Sequence, residues 1–183
     1  MARLPYLDRA DLPPEHQDLL NRPIALNRIL AHGPDGMRAF NALAGYIRHK
    51  SKLDPRLREL AILQVGYSER SPYEWSHHVK IGREFGVSDA DIRALIAESE
   101  DRPTGLDALS RAVLRAAREM TGGLAMSDAT FAELRASLDN ERLMDLVLVI
   151  SFYNAVVRIL ATFEIDVEDD YRKYLDEFPL PKD

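Results

Sequence analysis

The feature that most constrains the fold is a helical spacing of apolar residues along almost the whole 183-residue chain. Apolar side chains recur three or four positions apart, as on one face of an α-helix, and no stretch alternates β-branched and polar residues between turns as a strand would. The sequence therefore predicts an all-α protein. A chain of this length buries one hydrophobic core but not comfortably two, so we expect a single structural domain.

Proline, glycine and capping residues divide this pattern into separate predicted helices. Asp54 before Pro55 and Ser71 before Pro72 are typical helix starts, and Gly86 is typical of a left-handed position after a helix end. The predicted helices cover residues 15–21, 24–31, 35–50, 54–70, 72–85, 88–98, 106–121, 127–137 and 141–163.

The helices group into three predicted regions. Residues 1–50 form an N-terminal helical extension packed on the core, residues 51–165 form the helical core, and residues 166–183 form an acidic tail. The tail is expected either to add a helical turn or two or to pack its aromatic residues on a neighbouring subunit. Those aromatic residues are Tyr171, Tyr174 and Phe178.

Charge and hydropathy limit the partners. The net charge is −6, the pI is near 5.4 and no cationic cluster is present, which argues against nucleic acid or an anionic membrane and favours a small-molecule partner. The N-terminus lacks the apolar stretch of a signal peptide, so we expect a cytoplasmic location. Asp145, Asn154 and Arg158 interrupt the apolar segment 143–163, which is therefore predicted to be a buried helix and not a membrane span.

The chain contains no cysteine. This absence excludes disulfides, thiolate nucleophiles, thiol redox couples and cysteine-ligated metals. Any chemistry must be carried by oxygen and nitrogen groups.

The stretch SPYEWSHH, residues 71–78, places the only tryptophan, a carboxylate and two histidines within eight residues. Glu74 and His78 lie one helical turn apart, so the carboxylate can orient the imidazole and raise its proton affinity, as general acid–base catalysis requires. His77 is expected on a more exposed side. The alternatives are that Ser71 and Glu74 form a capping box and that His78 is an ordinary core histidine.

Glu59 is expected to lean towards the core, away from a basic rim formed by Arg56 and Arg58. A buried carboxylate must be protonated, paired or functional, and its natural partner lies on the next helix. The alternative is an exposed Glu59 paired with a neighbouring arginine. The pair Glu74 and His77 has the spacing used by di-iron bundles, but it occurs once, so no metal is predicted.

Three segments resemble the carboxymuconolactone decarboxylase family, which shares its fold with the AhpD-type alkylhydroperoxidases. They are LDPRLRELAIL (residues 53–63), YEWSHH (residues 73–78) and GVSDADIRAL (residues 86–95). In the peroxidase branch, the resemblance places a glutamate at Glu59, two cysteines at Ser71 and Glu74, and a histidine at His78. Both cysteines are replaced here, so thiol peroxidase chemistry is excluded.

The resemblance implies an oligomeric AhpD-like helical bundle and a cofactor-independent carboxy-lyase that acts on a small carboxylated lactone or β-keto-type acid. Catalysis is assigned to His78 with Glu59 and Glu74, and substrate binding to Ser71, Trp75, Asn154 and Arg158. A homo-oligomer, as a dimer, trimer or hexamer, is expected. The alternatives are an AhpD-like oxidoreductase without thiol peroxidase activity and a non-enzymatic small-molecule-binding protein.

Overall fold

The structure, a computed structural model, describes residues 2–181. Within this range the chain forms two 3-10 segments and nine α-helices and contains no strand, which confirms the all-α prediction. The 3-10 segments are Arg9–Asp11 and Pro14–Leu20. The helices are α1 (Ala25–Leu30), α2 (Pro34–His49), α3 (Pro55–Ser68), α4 (Pro72–Glu84), α5 (Asp89–Ser99), α6 (Ala108–Gly122), α7 (Asp128–Ser137), α8 (Asn140–Phe163) and α9 (Asp169–Glu177).

The helix ends lie within two residues of the predicted ones because short-range capping determines them. The Asp54 side chain accepts a hydrogen bond from the Leu57 amide at the start of α3. Gly86 follows α4 with φ +93°, a left-handed conformation that favours glycine. The predicted helix 15–21 is instead a 3-10 segment, and residues 182 and 183 of the predicted tail lie outside the described part of the chain.

Helix α3 forms the centre of the bundle and is buried without interruption from Leu57 to Tyr67. It packs against α4, α6 and α8. Gly66 allows the close approach to α4, since a Cβ atom there would lie 3.3 Å from the Trp75 backbone nitrogen. This contact brings the facing side chains of α3 and α4 within hydrogen-bonding distance.

Helix α8 is long and apolar enough to cross a membrane by length and composition. It instead packs on α3 and α6, with most of its apolar residues buried, as predicted for a core helix. Asp145, which lies on its buried side, accepts hydrogen bonds from the Tyr46 hydroxyl, the Ser51 hydroxyl and the Lys52 amide. This charge is therefore fully hydrogen-bonded inside the bundle.

Helix α9 confirms the predicted helical turns in the tail and covers one side of α4. The Tyr171 ring stacks on the His77 ring at 3.6 Å between centroids, and Phe178 is buried. Trp75, the only tryptophan, donates a hydrogen bond of 2.7 Å from Nε1 to the Phe178 carbonyl oxygen. The tail aromatics Tyr171 and Phe178 thus pack on their own chain.

Candidate active site

A buried cluster of one imidazole and two carboxylates lies between α3 and α4. Nδ1 of His78 lies 2.6 Å from Oε2 of Glu59, and Nε2 lies 2.9 Å from Oε1 of Glu74. All three side chains are at most 5% exposed. The expected partner of Glu59 on the next helix is therefore His78, and the alternative of an exposed Glu59 is wrong.

The guanidinium of Arg58 is a second cation that contacts Glu59 in this cluster. Its Nε and Nη2 atoms both donate to Oε1 of Glu59 at 3.0 Å, and its Nη1 donates to the Arg48 carbonyl oxygen at 3.1 Å. The guanidinium also lies 4.4 Å from the centroid of the Phe85 ring. The prediction of Arg58 on an exposed basic rim is wrong, because Glu59 and the Phe85 ring hold it inside.

The two carboxylates keep His78 charged. Burial disfavours the imidazolium ion, but the negative charges of Glu59 and Glu74 and their hydrogen bonds outweigh this cost and raise the pKa of His78 to about 9. Burial would likewise raise the pKa of Glu59, yet the charges of His78 and Arg58 lower it below its usual value. The cluster therefore holds an imidazolium ion at neutral pH, with both of its protons directed at carboxylates.

The start of α4 departs from the predicted capping box. The Ser71 hydroxyl accepts from the Glu74 amide at 3.4 Å, as a helix cap does. The Glu74 carboxylate, however, contacts His78 and does not reach back to the Ser71 amide. Glu74 is thus part of the buried cluster and not of the cap.

A cavity of about 330 Å³ opens beside this cluster, between α4, α8 and the N-terminal residues 18–49. Glu74 and His78 form part of its wall, whereas Glu59 lies behind them. The volume suits a small organic molecule. The remaining wall combines aromatic and aliphatic side chains with cations, and includes Leu26, Phe40, Phe152, Val156, Arg22 and Arg48.

His77 also faces this cavity, and its predicted exposure is wrong because only 3% of it is exposed. The imidazole lies between the rings of Tyr73 and Tyr171, with centroid distances of 4.1 and 3.6 Å. Its Nε2 lies 2.8 Å from Oε2 of Glu168. Tyr171 of α9 and Glu168, which precedes α9, cover His77. The spacing of residues within α4 alone could not predict these contacts.

Glu168 joins three parts of the chain. Besides His77, its Oε1 accepts a hydrogen bond from the Ala25 amide at 2.7 Å and one from the Tyr73 hydroxyl at 3.2 Å. Burial would raise the pKa of this carboxyl, but the hydrogen bonds from His77 and Ala25 lower it to about 2. Glu168 therefore ties α1, α4 and the start of α9 together beside the cavity.

Replacement of Glu168 by glutamine is expected to lower the free energy of unfolding by about 1–2 kcal/mol, because the amide keeps one acceptor but loses the charge that strengthens all three contacts. Urea denaturation at pH 7 followed by circular dichroism measures the change. The control is Asp176→Asn at an exposed position of α9, the helix that follows Glu168, and it should leave stability within about 0.5 kcal/mol of wild type. An equal effect of both substitutions would contradict the role of Glu168.

The residues predicted to bind substrate do not gather at this cavity. Trp75 is fully buried behind it, and Asn154 donates to the Thr121 hydroxyl and the Ile150 carbonyl oxygen. Ser71 and Arg158 line a separate cavity of about 290 Å³. Ser151, Asn154 and Arg158 lie three or four positions apart on α8, are at least partly exposed and line no part of the His78 cavity.

Arg22, Arg48 and Tyr153 are among the polar residues of the cavity wall that the sequence did not indicate as site residues. Arg22 precedes α1, Arg48 lies in the last turn of α2, and Tyr153 lies on the buried face of α8. Tyr153 was not indicated because it fits the apolar periodicity of α8, which is typical of a core residue. The two arginines were not indicated because they belong to the region predicted to be an N-terminal extension. Among residues 2–181, no group of three acidic or histidine side chains is arranged to hold a metal ion.

The helical bundle has an AhpD-like fold. A peroxidase-related protein from Ralstonia eutropha JMP134 with an alkylhydroperoxidase AhpD core superposes with a TM-score of 0.80, at 21% identity over 95% of each chain. A peroxidase-related protein from Silicibacter sp. TM1040 superposes with a TM-score of 0.72, at 21% identity over 92% of each chain. The model of the carboxymuconolactone decarboxylase family, which the three segments resemble, matches residues 34–119.

A third similar structure is a cysteine-to-alanine variant of the debrominase Bmp8 in complex with 2,3,4-tribromopyrrole. It superposes with a TM-score of 0.77, at 19% identity over 97% of this chain and 99% of that one. A search of curated proteins gives no match to the chain. The family match begins at Pro34, so α2, which was predicted to belong to an extension, lies within the family region.

Proposed function

We propose that the protein is a cofactor-independent decarboxylase that acts on a small carboxylated lactone or β-keto-type acid, with His78 as the proton donor. The observation that carries this proposal is the buried cluster of Glu59, His78 and Glu74 on the wall of a cavity of about 330 Å³. An imidazolium ion held between two carboxylates is a proton source with a fixed position. The match of residues 34–119 to the carboxymuconolactone decarboxylase family model supports the same class of chemistry.

The two ring nitrogen atoms of His78 have different proposed roles. The bond between the substrate carbon and its carboxylate breaks, CO₂ leaves, and the electron pair delocalises onto the adjacent carbonyl oxygen. The His78 imidazolium then delivers a proton to carbon from the Nε2 side, where Glu74 lines the cavity. Glu59 holds Nδ1 from behind, and a proton from water restores the imidazolium.

The charges on the cavity wall suit an acidic substrate. Arg22 and Arg48 line the cavity, and neither forms an ion pair with a carboxylate in the described part of the chain. Arg158, which the sequence predicted to bind substrate, lines the other cavity, and Arg58 is engaged by Glu59. Arg22 and Arg48 are therefore the residues proposed to bind the negatively charged groups of the substrate.

The direct test incubates purified protein with 4-carboxymuconolactone and related β-keto-type acids in D₂O. Wild type should release CO₂ and incorporate one deuterium into the product carbon. His78→Asn should turn over at least about 100-fold more slowly, because the imidazolium that donates the proton is gone.

His49→Asn is the matched control, since His49 lies at the exposed edge of the same cavity and is not part of the cluster. Equal rates for wild type and His78→Asn on every active substrate would rule out His78 as the acid. Absence of turnover with all such acids, together with saturable binding of them, would favour the non-enzymatic binding protein. Turnover of a redox substrate alone would favour an AhpD-like oxidoreductase.

A homo-oligomer and a cytoplasmic location stay predictions. Among residues 2–181, the large apolar side chains of Leu124, Phe131 and Met144 are exposed. Such residues are compatible with a subunit contact.

A further inference from the structure

Tyr153 is a buried polar residue of the cavity that acid–base chemistry at His78 does not use. Its ring stands edge-on to the His78 ring, with 5.0 Å between centroids and 83° between planes. Only 7% of the residue is exposed, and it lines the cavity. Within residues 2–181, its hydroxyl donates no hydrogen bond to a protein acceptor. A nearly buried O–H group without an acceptor, on a cavity wall, is available to a ligand.

Arg48 lies beside this hydroxyl. Both residues line the cavity, the positive charge of Arg48 acts on the Tyr153 hydroxyl, and the Arg48 backbone carbonyl oxygen accepts a hydrogen bond from Arg58 Nη1 at 3.1 Å. No aspartate or glutamate pairs with the Arg48 side chain among the described residues. A cation without a counter-ion and a hydroxyl without an acceptor therefore meet at one place on the cavity wall.

The protonation state of Tyr153 fits a donor. Burial raises the pKa of its hydroxyl well above the usual value, and the negative charges of Glu74 and Glu59 raise it further, whereas Arg48 opposes the rise. The phenol therefore stays protonated through neutral pH. It can donate a hydrogen bond to an anion but does not become one itself.

We propose that Tyr153 and Arg48 form an oxyanion-binding site for a planar, conjugated ligand, in which Tyr153 is a catalytic residue that donates its O–H to the substrate carbonyl oxygen. This inference rests on the proposed function: the oxygen is the one that receives the electron pair when CO₂ leaves. Tyr153 keeps its proton throughout, and His78 supplies the proton that reaches carbon. A donor aimed at developing charge in a site shielded from water lowers the barrier more than a solvent-exposed one.

The neighbouring rings indicate the shape of the ligand. Phe152 lies edge-on to Tyr153 with 5.5 Å between centroids, and Phe40 contacts Phe152 at 4.7 Å. Both phenylalanines line the same cavity as Tyr153 and Arg48. Flat aromatic walls next to an oxyanion-binding site suit an enolate or phenolate whose charge is spread over a ring.

A phenolate tests this site without any turnover. We would titrate the full-length protein with 4-nitrophenol at a pH where phenol and phenolate are both populated, and follow the phenolate absorbance. Wild type is expected to bind the phenolate in preference to the phenol. Tyr153→Phe should weaken phenolate binding about tenfold or more, because a hydrogen bond to a charged group is lost while the ring against His78 is kept. Arg48→Gln should weaken it similarly.

The controls are Tyr171→Phe, which removes a hydroxyl outside the cavity, and Arg111→Gln, which removes an exposed cation on α6. Both should bind the phenolate as wild type does. Unchanged phenolate affinity in both Tyr153→Phe and Arg48→Gln would overturn the inference. If Tyr153→Phe fails to fold, the affinity of Arg48→Gln alone tests the inference. With an active substrate, Tyr153→Phe should lower kcat more than it raises KM.

The outcomes separate the two proposals. If phenolate binding depends on Tyr153 but the protein decarboxylates none of the acids, the oxyanion site is supported and the proposed function is rejected. If Tyr153→Phe changes neither decarboxylation nor phenolate binding, the proposed function is supported and the oxyanion site is rejected.

Discussion

Replacement of Glu59 by glutamine is expected to lower the free energy of unfolding by about 3–5 kcal/mol, because it leaves buried cations without their counter-ion. Glu59 contacts Arg58 through one carboxylate oxygen and His78 through the other. Glutamine offers one acceptor and places an amide donor against one of the two cations. Urea denaturation at pH 7, followed by helical circular dichroism, measures the loss.

Two further variants test this explanation. Glu84→Gln makes the same chemical change at an exposed position of α4 and should alter stability by less than about 0.5 kcal/mol. Adding Arg58→Met to Glu59→Gln removes one of the stranded cations and should recover part of the loss. If the single variant Glu59→Gln unfolds at the same urea concentration as wild type, the buried pairing is not what stabilises this region.

Stability is also expected to decrease by about 3 kcal/mol as the pH rises from about 6.5 to about 9. The pKa of His78 is about 9 in the folded chain and about 6.5 when unfolded, so the folded protein binds the proton more tightly. Its contribution is therefore complete below pH 6.5 and is lost as the pH rises through 9. Free energies of unfolding measured by urea titration across this range test the direction and the size.

His78→Gln provides the comparison for the pH series, because it removes the titrating group. Its stability should be lower at pH 6.5 and should vary less between pH 6.5 and 9 than that of wild type. A wild-type slope that persists unchanged in His78→Gln would assign the pH dependence to other groups. Glu59 acts in the opposite range: its lowered pKa gives stability that is present above its unfolded pKa and is lost on acidification.

The helices were largely predictable because their signals are local. A capping aspartate or serine, a first-turn proline and the spacing of apolar residues lie within a few positions of one another, as at Asp54 and Ser71. The same locality explains the one difference in type, at Pro14–Leu20, where a short segment with proline at its start forms a 3-10 helix. Which helix covers which face depends on contacts between distant residues.

The site was predictable only where two helix faces determine it. The spacing of Glu74 and His78, together with a carboxylate at Glu59 that needs a partner, predicted the buried cluster. Burial of His77 was not predictable, because its partner Glu168 lies 91 residues further along the chain. Tyr153 gave no separate signal, since an aromatic residue on the buried face of an apolar helix fits core packing equally well.

The fluorescence of Trp75 is expected to report on the contact between α4 and the C-terminal segment. The only indole of the chain donates its N–H to the Phe178 carbonyl oxygen, while its ring packs on Tyr67. Release of the segment after α9 would replace this acceptor by water and shift the emission of that single fluorophore to longer wavelength, with the helices around it still formed. Fluorescence therefore distinguishes detachment of the C-terminal segment from unfolding of the bundle, which circular dichroism records.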